Sequence, residues 1–317
     1  MNRRTRCLAV CAIGMMCVPS VYATEGGLGR EISGTNAMEN GGIVPPEPIW
    51  AFNLGTVYQD ASIGAGRQVP IIGLLSAGIH SDLSLTTLTG LKVWDTGPGA
   101  WNFSSSFTLP YDWNKVTASI VTSQTTLAAE TQSTSNLFDL YFVPFTAGYH
   151  ISKTDHLSLS LGVWAPTGEY DVSRLANPSL NNWTFVPSVA YTKIIPQSGL
   201  QFDAAAGLQV FTRNKATDYQ NAPLFNLDLL LVKSFPSGLG IGVTFGLIDQ
   251  WGNDSGATAD RLHGFQGYDI SAGPYLSYST KLGGKAPLSL SLRWVPTLDS
   301  RNRVNGDTVL ASFTLIL

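Results

Sequence analysis

The 317-residue sequence predicts an all-β fold: a transmembrane antiparallel up-and-down β-barrel of about twelve strands, preceded by an N-terminal periplasmic or plug segment. Three observations carry this reading. Apolar residues alternate with small polar ones at period 2, as in "HLSLSLGVWA" (156–165), so one face of each segment is greasy and the other mild. Short and long connections alternate along the chain. Charged residues make up 13% of the sequence, about half of the ~25% usual in soluble domains, which leaves too little charge for an ordinary wet surface.

The first element is a leader. Arg3, Arg4 and Arg6 precede an apolar run from Cys7 to Val18, and Val21-Tyr22-Ala23 offers a small-residue exit. This is the pattern of a secretory signal peptide spanning 1–23 and cleaved after Ala23. The run is too short to cross a bilayer, which takes roughly 20 apolar residues. Cys7, Cys11 and Cys17 all lie in it, so the mature chain has no thiol for disulfide or redox chemistry. Removing three of the 19 basic residues leaves 16 against 22 acidic ones, a net charge of about −6. Mild acidity of this kind argues against a nucleic-acid partner, which calls for clustered Lys and Arg.

Residues 24–48, "TEGGLGREISGTNAMENGGIVPPEP", are rich in glycine and proline and have no strand periodicity. They read either as a periplasmic lead or as a plug folded into the lumen. The barrel is assigned to 49–317. Strand candidates are 50–59, 74–93, 99–119, 136–150, 156–165, 182–194, 199–213, 224–235, 239–250, 266–280, 286–296 and 307–317. Tight turns fall at 95–99, 151–155, 196–199, 236–238 and 282–287. Longer polar linkers fall at 60–73, 120–135, 166–181, 214–223, 251–265 and 297–306. Such sorting matches an outer-membrane barrel, whose periplasmic turns are brief and whose outer loops are long.

The lipid-facing sets are expected to be Leu157, Leu159, Leu161 and Val163; Phe225, Leu227, Leu229 and Leu231; and Ile241, Val243, Phe245 and Leu247. Ser158, Ser160, Asn226, Asp228, Gly242 and Thr244 then face inward. Trp50, Trp101, Trp113, Tyr149, Trp183, Tyr191 and Trp294, near strand ends, suit the interfacial girdles in which amphipathic rings settle. The terminal "TVLASFTLIL" alternates to Leu317, so the last strand is expected to close the barrel, although such signals usually end on an aromatic residue.

Motifs for hydrolysis, zinc, redox or phosphate chemistry are missing, so no cofactor or metal is expected. His150 and His156 flank one turn and can approach each other; His80 and His263 are distant in sequence. The loop 249–260 offers oxygen ligands without calcium-loop spacing. The remaining candidates line a solute pathway: Asp139, Tyr141, Trp164, Gln201, Asp203, Gln209, Arg213, Asn226, Asp228, Asp269, Tyr275 and Arg293. Ionisable groups inside a membrane protein are costly unless paired or hydrated, so they mark a pathway or hold an internal network. Arg213 and Arg293 are the natural partners for Asp203 and Asp228.

Several segments resemble a known family. "EGG" (25–27), "PPEP" (45–48), "APTGEYD" (165–171), "NNWTFVPSVAYT" (181–192), "NKATDYQNA" (214–222) and Gly273-Pro274 are similar to the SphA-like outer-membrane proteins of phenol meta-pathway degradation. The resemblance implies a Gram-negative outer-membrane channel or transporter for small hydrophobic or aromatic compounds of the phenol type. Its partners would be outer-membrane lipid, the solute and, during biogenesis, the barrel-assembly machinery. A structural or adhesive barrel with a sealed lumen, or an outer-membrane hydrolase, stays open as the alternative.

Overall fold

The computed structural model describes residues 29–63, 69–71, 74–97, 99–122 and 125–317, with side chains described outside 64–77 and 119–129. The leader 1–23, residues 24–28 and most of the 64–73 linker lie outside the described residues.

Twelve strands close into one barrel. They are β1 (Trp50–Ile63, resumed at Val69–Ile71), β2 (Leu74–Val93), β3 (Trp101–Thr122) and β4 (Thr125–Leu137 and Leu140–His150). β5 (Asp155–Ala165), β6 (Thr184–Ile195), β7 (Leu200–Phe211), β8 (Leu224–Ser234) and β9 (Leu239–Gln250) follow. After a five-residue helix α1 (Ala257–Arg261) come β10 (Tyr268–Leu282), β11 (Ala286–Arg301) and β12 (Asn305–Ile316). Each strand pairs antiparallel with its neighbours in sequence, and β12 returns to β1 in a ladder from Ala51↔Ile316 to Ser62↔Asn305. The β12–β1 ladder closes the sheet on itself, as a lipid environment demands, while Thr125–Leu137 pairs with β3 alone. No helix among the described residues is long and apolar enough to cross a membrane.

Three of the expected long linkers are largely strand where they are described. β1 runs to Ile63, the 120–135 stretch is a hairpin of β3 and β4, and β11 runs to Arg301 before a three-residue turn. The alternation continues there in Ser, Thr and Asp, so loss of apolarity was read as loss of strand. These hairpins are the polar extensions of a wall that rises beyond its apolar band. The loops 166–183, 212–223 and 251–267 are genuine connections.

β4 is interrupted at Phe138 and Asp139, whose side chains both turn inward and are buried. β3 accordingly carries two partners on one edge: Tyr111–Thr122 faces the first half of β4, and Trp101–Thr108 faces the second. The wall is irregular again between Phe142 and Thr146, where Pro144 has no N–H to give.

Exposure follows the pleat. In β1, Trp50, Phe52, Leu54 and Tyr58 are exposed while Ala51, Asn53, Val57 and Gln59 are buried. The outward sets of β8 and β9 stand as expected. In β5, Leu159 is exposed but Val163, although on the outward face, is covered to 6%; it lies opposite Phe142 and Phe185, beside the irregular stretch of wall. Cross-strand register puts Tyr58 level with Ser84 and Trp113 on one side and with Val309 and Trp294 on the other. This is one aromatic girdle. The other includes Trp50 and Trp101, the latter with its ring 4.8 Å from Tyr149. Trp50 and Tyr58 are separated by eight residues, roughly 27 Å along the strand and ~20 Å along the axis at a tilt of ~40°, close to the ~25 Å apolar band of such barrels.

Candidate functional site

The lumen is built from two halves. Toward the turn end, where Trp50 and Leu317 bond to each other, it is filled by residues 29–48, most of which are buried. This segment has no ladder to satisfy its backbone, so the wall does so. Asp228 accepts from Gly34 N at 2.8 Å and Asn36 N at 2.6 Å. Asp203 accepts from Asn40 N at 3.0 Å and is held by Thr192 Oγ and Gln201 Nε2. Arg293, lying 5.0 Å over the Tyr275 ring, donates to the carbonyls of Gly34 and Ala37 at 3.0 and 2.9 Å. Ser158 and Thr244 donate to Gly41 O and Gly34 O. Gly246 lets the segment approach: a Cβ there would stand 1.8 Å from Gly34 N.

Arg30 anchors the other end of this plug. Fully buried, it donates to Asp139 Oδ2 at 2.6 Å, to Thr184 Oγ1 and to Asn182 O, while its backbone N–H reaches Gln209 Oε1. Its guanidinium lies 5.4 Å from the Phe138 ring and 5.2 Å from the Trp164 ring. Planar, weakly hydrated and bidentate, a guanidinium suits such a cage better than an ammonium would. Asp139 also accepts from Gly168 N, Ser179 Oγ and Leu180 N, so it ties the loop 166–183 into the mouth of the barrel.

Toward the loop end the lumen holds an apolar cluster beside buried polar groups such as Asp112, Asn114 and the Asp269–Arg303 pair. Leu83, Leu85, Val116, Phe138, Tyr141, Val143, Trp164 and Val186 from the wall meet Leu175, Ala176, Leu180 and Phe265 from infolded loops in one contiguous cluster. Tyr141 and Trp164 rings pack at 4.6 Å, an approach that Gly162 permits, since a Cβ there would meet the Tyr141 hydroxyl. The loop 251–267 is held by Asp254, which accepts from Tyr219 Oη at 2.6 Å, Ala222 N at 2.7 Å and Gln250 Nε2 at 3.0 Å. Burial pushes the Asp254 carboxyl up to about 6, while the bonds from Tyr219 and Ala222 and the nearby Arg303 pull it partly back.

Of the residues singled out in the sequence, Asp139, Tyr141, Trp164, Gln201, Asp203, Gln209, Asn226, Asp228, Asp269, Tyr275 and Arg293 are buried inside the barrel. Arg213 is not. β7 ends at Phe211, and the Arg213 side chain is exposed and bonds Asp218 at 2.9 Å across the next loop. Neither arginine forms an ion pair with Asp203 or Asp228; Asp269 pairs with Arg303 at 2.5 Å. Sequence reasoning missed Arg30, Phe138, Leu175, Leu180 and Phe265. A lone arginine in a glycine-rich segment was the available signal for the first; loop residues carried none. His150 and His156 do meet, Nδ1 to Nδ1 at 2.7 Å. Among the described residues the group of His and Asp that could meet on a metal is Asp60, His80 and Asp82, partly exposed on the outer wall, where Lys115 4.0 Å from Asp82 already supplies positive charge.

The fold is similar to that of the COG4313 outer membrane channel from Pseudomonas putida F1, at 15% identity and TM-score 0.68 over 86% of this chain and 97% of that one. The β domain of the Bordetella autotransporter Brka follows at 11% identity and TM-score 0.49, over 84% and 99%. No curated protein matches the sequence. A family model covers residues 59–313, from within β1 to within β12, and the chain therefore belongs to the family described as "Putative MetA-pathway of phenol degradation".

Proposed function

We propose that this protein is a Gram-negative outer-membrane channel that admits small hydrophobic or aromatic compounds, without an enzymatic step. The observation that carries the reading is the apolar cluster at the loop end of the lumen. Water-filled barrels are polar inside, whereas the loop end of this one is built around the rings of Phe138, Tyr141 and Trp164 and the aliphatic side chains around them, with the infolded loops closed over them. Ring faces attract an aromatic solute weakly, and weak attraction suits passage, since the solute must leave as well as enter. Below the cluster, residues 29–48 occupy the lumen, so passage requires that the plug yield. The exposed apolar belt and its two aromatic girdles support a place in the outer membrane, with lipid as the partner.

The structural reading, a sealed barrel that displays loops, is favoured by one observation: the plug fills the lower lumen. Uptake separates the two. Cells poor in other porins should take up radiolabelled hydroxybenzoate faster when they make this protein, and Trp164→Ala should change the rate. Equal uptake with and without the protein would leave the structural reading in its place.

A further inference from the structure

On the outward face of β1, one place beyond the girdle residue Tyr58, stands Asp60. The register puts Asp82 of β2 directly opposite it on one side and Asp307 of β12 on the other. Three carboxylates thus form a row across three neighbouring strands, and like charges directly opposite one another destabilise a ladder. Asp307 has a donor, since its Oδ1 accepts from Trp294 Nε1 at 2.8 Å. Asp60 and Asp82 accept no hydrogen bond from any described residue. The cationic side chain nearby, Lys115, stands 4.0 Å from Asp82 Oδ2 and leaves the other oxygen to His80.

His80 Nε2 lies 3.8 Å from Asp60 Oδ1 and 3.8 Å from Asp82 Oδ1. That separation is too long for a hydrogen bond, which takes about 2.7–3.2 Å. It suits two ligands of one ion, because metal–ligand bonds of roughly 2.0–2.2 Å set neighbouring donors about 3–4 Å apart. The three donor atoms all lie within 4.8 Å of one another, so small side-chain adjustments bring them onto a single ion. The imidazole is already oriented for this. Ser62, its cross-strand neighbour, meets Nδ1 at 3.1 Å; with Nδ1–H given to the hydroxyl, Nε2 turns its lone pair toward the carboxylates, as metal-binding imidazoles do.

We propose that Asp60, His80 and Asp82 bind a divalent first-row transition cation of the zinc class, with water completing the shell. Two carboxylates and one imidazole are a donor set that such ions accept, whereas calcium and magnesium call for oxygen alone. Asp60 belongs to β1, and His80 and Asp82 belong to β2, so the ion clips the two strands together where the wall rises past the girdle. The site lies outside the lumen and is independent of what the channel carries.

The test uses the full mature chain without an affinity tag, in detergent, stripped with EDTA, desalted and dialysed against micromolar ZnCl2. Zinc content and the temperature of heat-induced unfolding on a gel are the readouts. The wild type should hold one zinc more per chain than His80→Ala or Asp60→Asn, and should unfold at a higher temperature with zinc than after EDTA. Both variants alter exposed side chains, so they should still form heat-modifiable barrels, with the thermal shift gone. Ser62→Ala should weaken zinc binding about tenfold while leaving all three ligands in place. His150→Ala, which removes the histidine pair at the opposite rim, should leave this site and its thermal shift unchanged. Zinc absent from the wild type, retained undiminished by His80→Ala and Asp60→Asn, lost only in His150→Ala, or displaced by an equal concentration of calcium would each overturn the proposal.

Discussion

Arg30 brings a guanidinium into a space closed to water, where Asp139 meets it at 2.6 Å between the rings of Phe138 and Trp164. Removing one partner of a buried pair leaves the other uncompensated, which costs ~3–5 kcal/mol. Arg30→Met should therefore loosen the plug, and a Ser33→Cys probe, buried in the parent, should become reactive to maleimide in detergent. Gly246→Val should do the same by a different route, because a side chain there would occupy the place of the Gly34 backbone. Unchanged protection of the probe in both would contradict the plug contacts. Asp254 gives a pH effect. Its folded-state value, raised to about 6 by burial, means that its stabilisation of the loop is full below the ordinary ~3.9 and lost as pH rises through about 6. Amide exchange of residues 251–267, corrected for intrinsic rates, should be slower at pH 4 than at pH 7, and Asp254→Asn should flatten the difference. At this scale the sequence was half legible. Period 2 is enough to tell that Asp139, Asp203, Asp228 and Arg293 point inward, yet their partners lie on a segment with no period at all, more than a hundred residues away. Arg213 was misjudged because the strand ends two residues before it.

At the level of elements, the same alternation that pointed those side chains inward set the strands. β5, β8 and β9 were readable because their outward residues are aliphatic throughout. The upper parts of β1, β3, β4 and β11 were not, because above the girdle the outward face turns polar and only scattered apolar residues such as Ile63, Val116 and Ala118 remain on the inward one, which gives a strand there much of the composition of a loop. Lipid facing is testable on β9. Val243 is 58% exposed on the outer face, and Val243→Arg should cost roughly 2–4 kcal/mol in folding into bilayers, while Val243→Phe should cost little. Ser158 offers no lumen-side counterpart, since it is fully buried against Gly41 of the plug. The loop 166–183 should face the outside and the turn around Ser237 the periplasm. On intact cells an impermeant maleimide should label Ser173→Cys and leave Ser237→Cys untouched; the reverse pattern would invert the barrel.

For the whole molecule, the apolar upper lumen and the plug below it make opposite demands: one invites a greasy solute and the other bars its way. A channel in which both are functional conducts only when the plug yields, so a chain lacking residues 24–48 should be more permeable than the full mature chain. Little of this was visible in the sequence, because the upper lumen is assembled from loop residues such as Leu175, Leu180 and Phe265 that have no pattern of their own. The most direct measurement is the swelling of liposomes that contain the purified protein, with and without residues 24–48, in benzoate and in a sugar of comparable mass. The account predicts faster entry of benzoate than of the sugar, increased when the plug is absent and altered by Trp164→Ala. Vesicles that remain impermeable to both solutes, even with the plug removed, would contradict it.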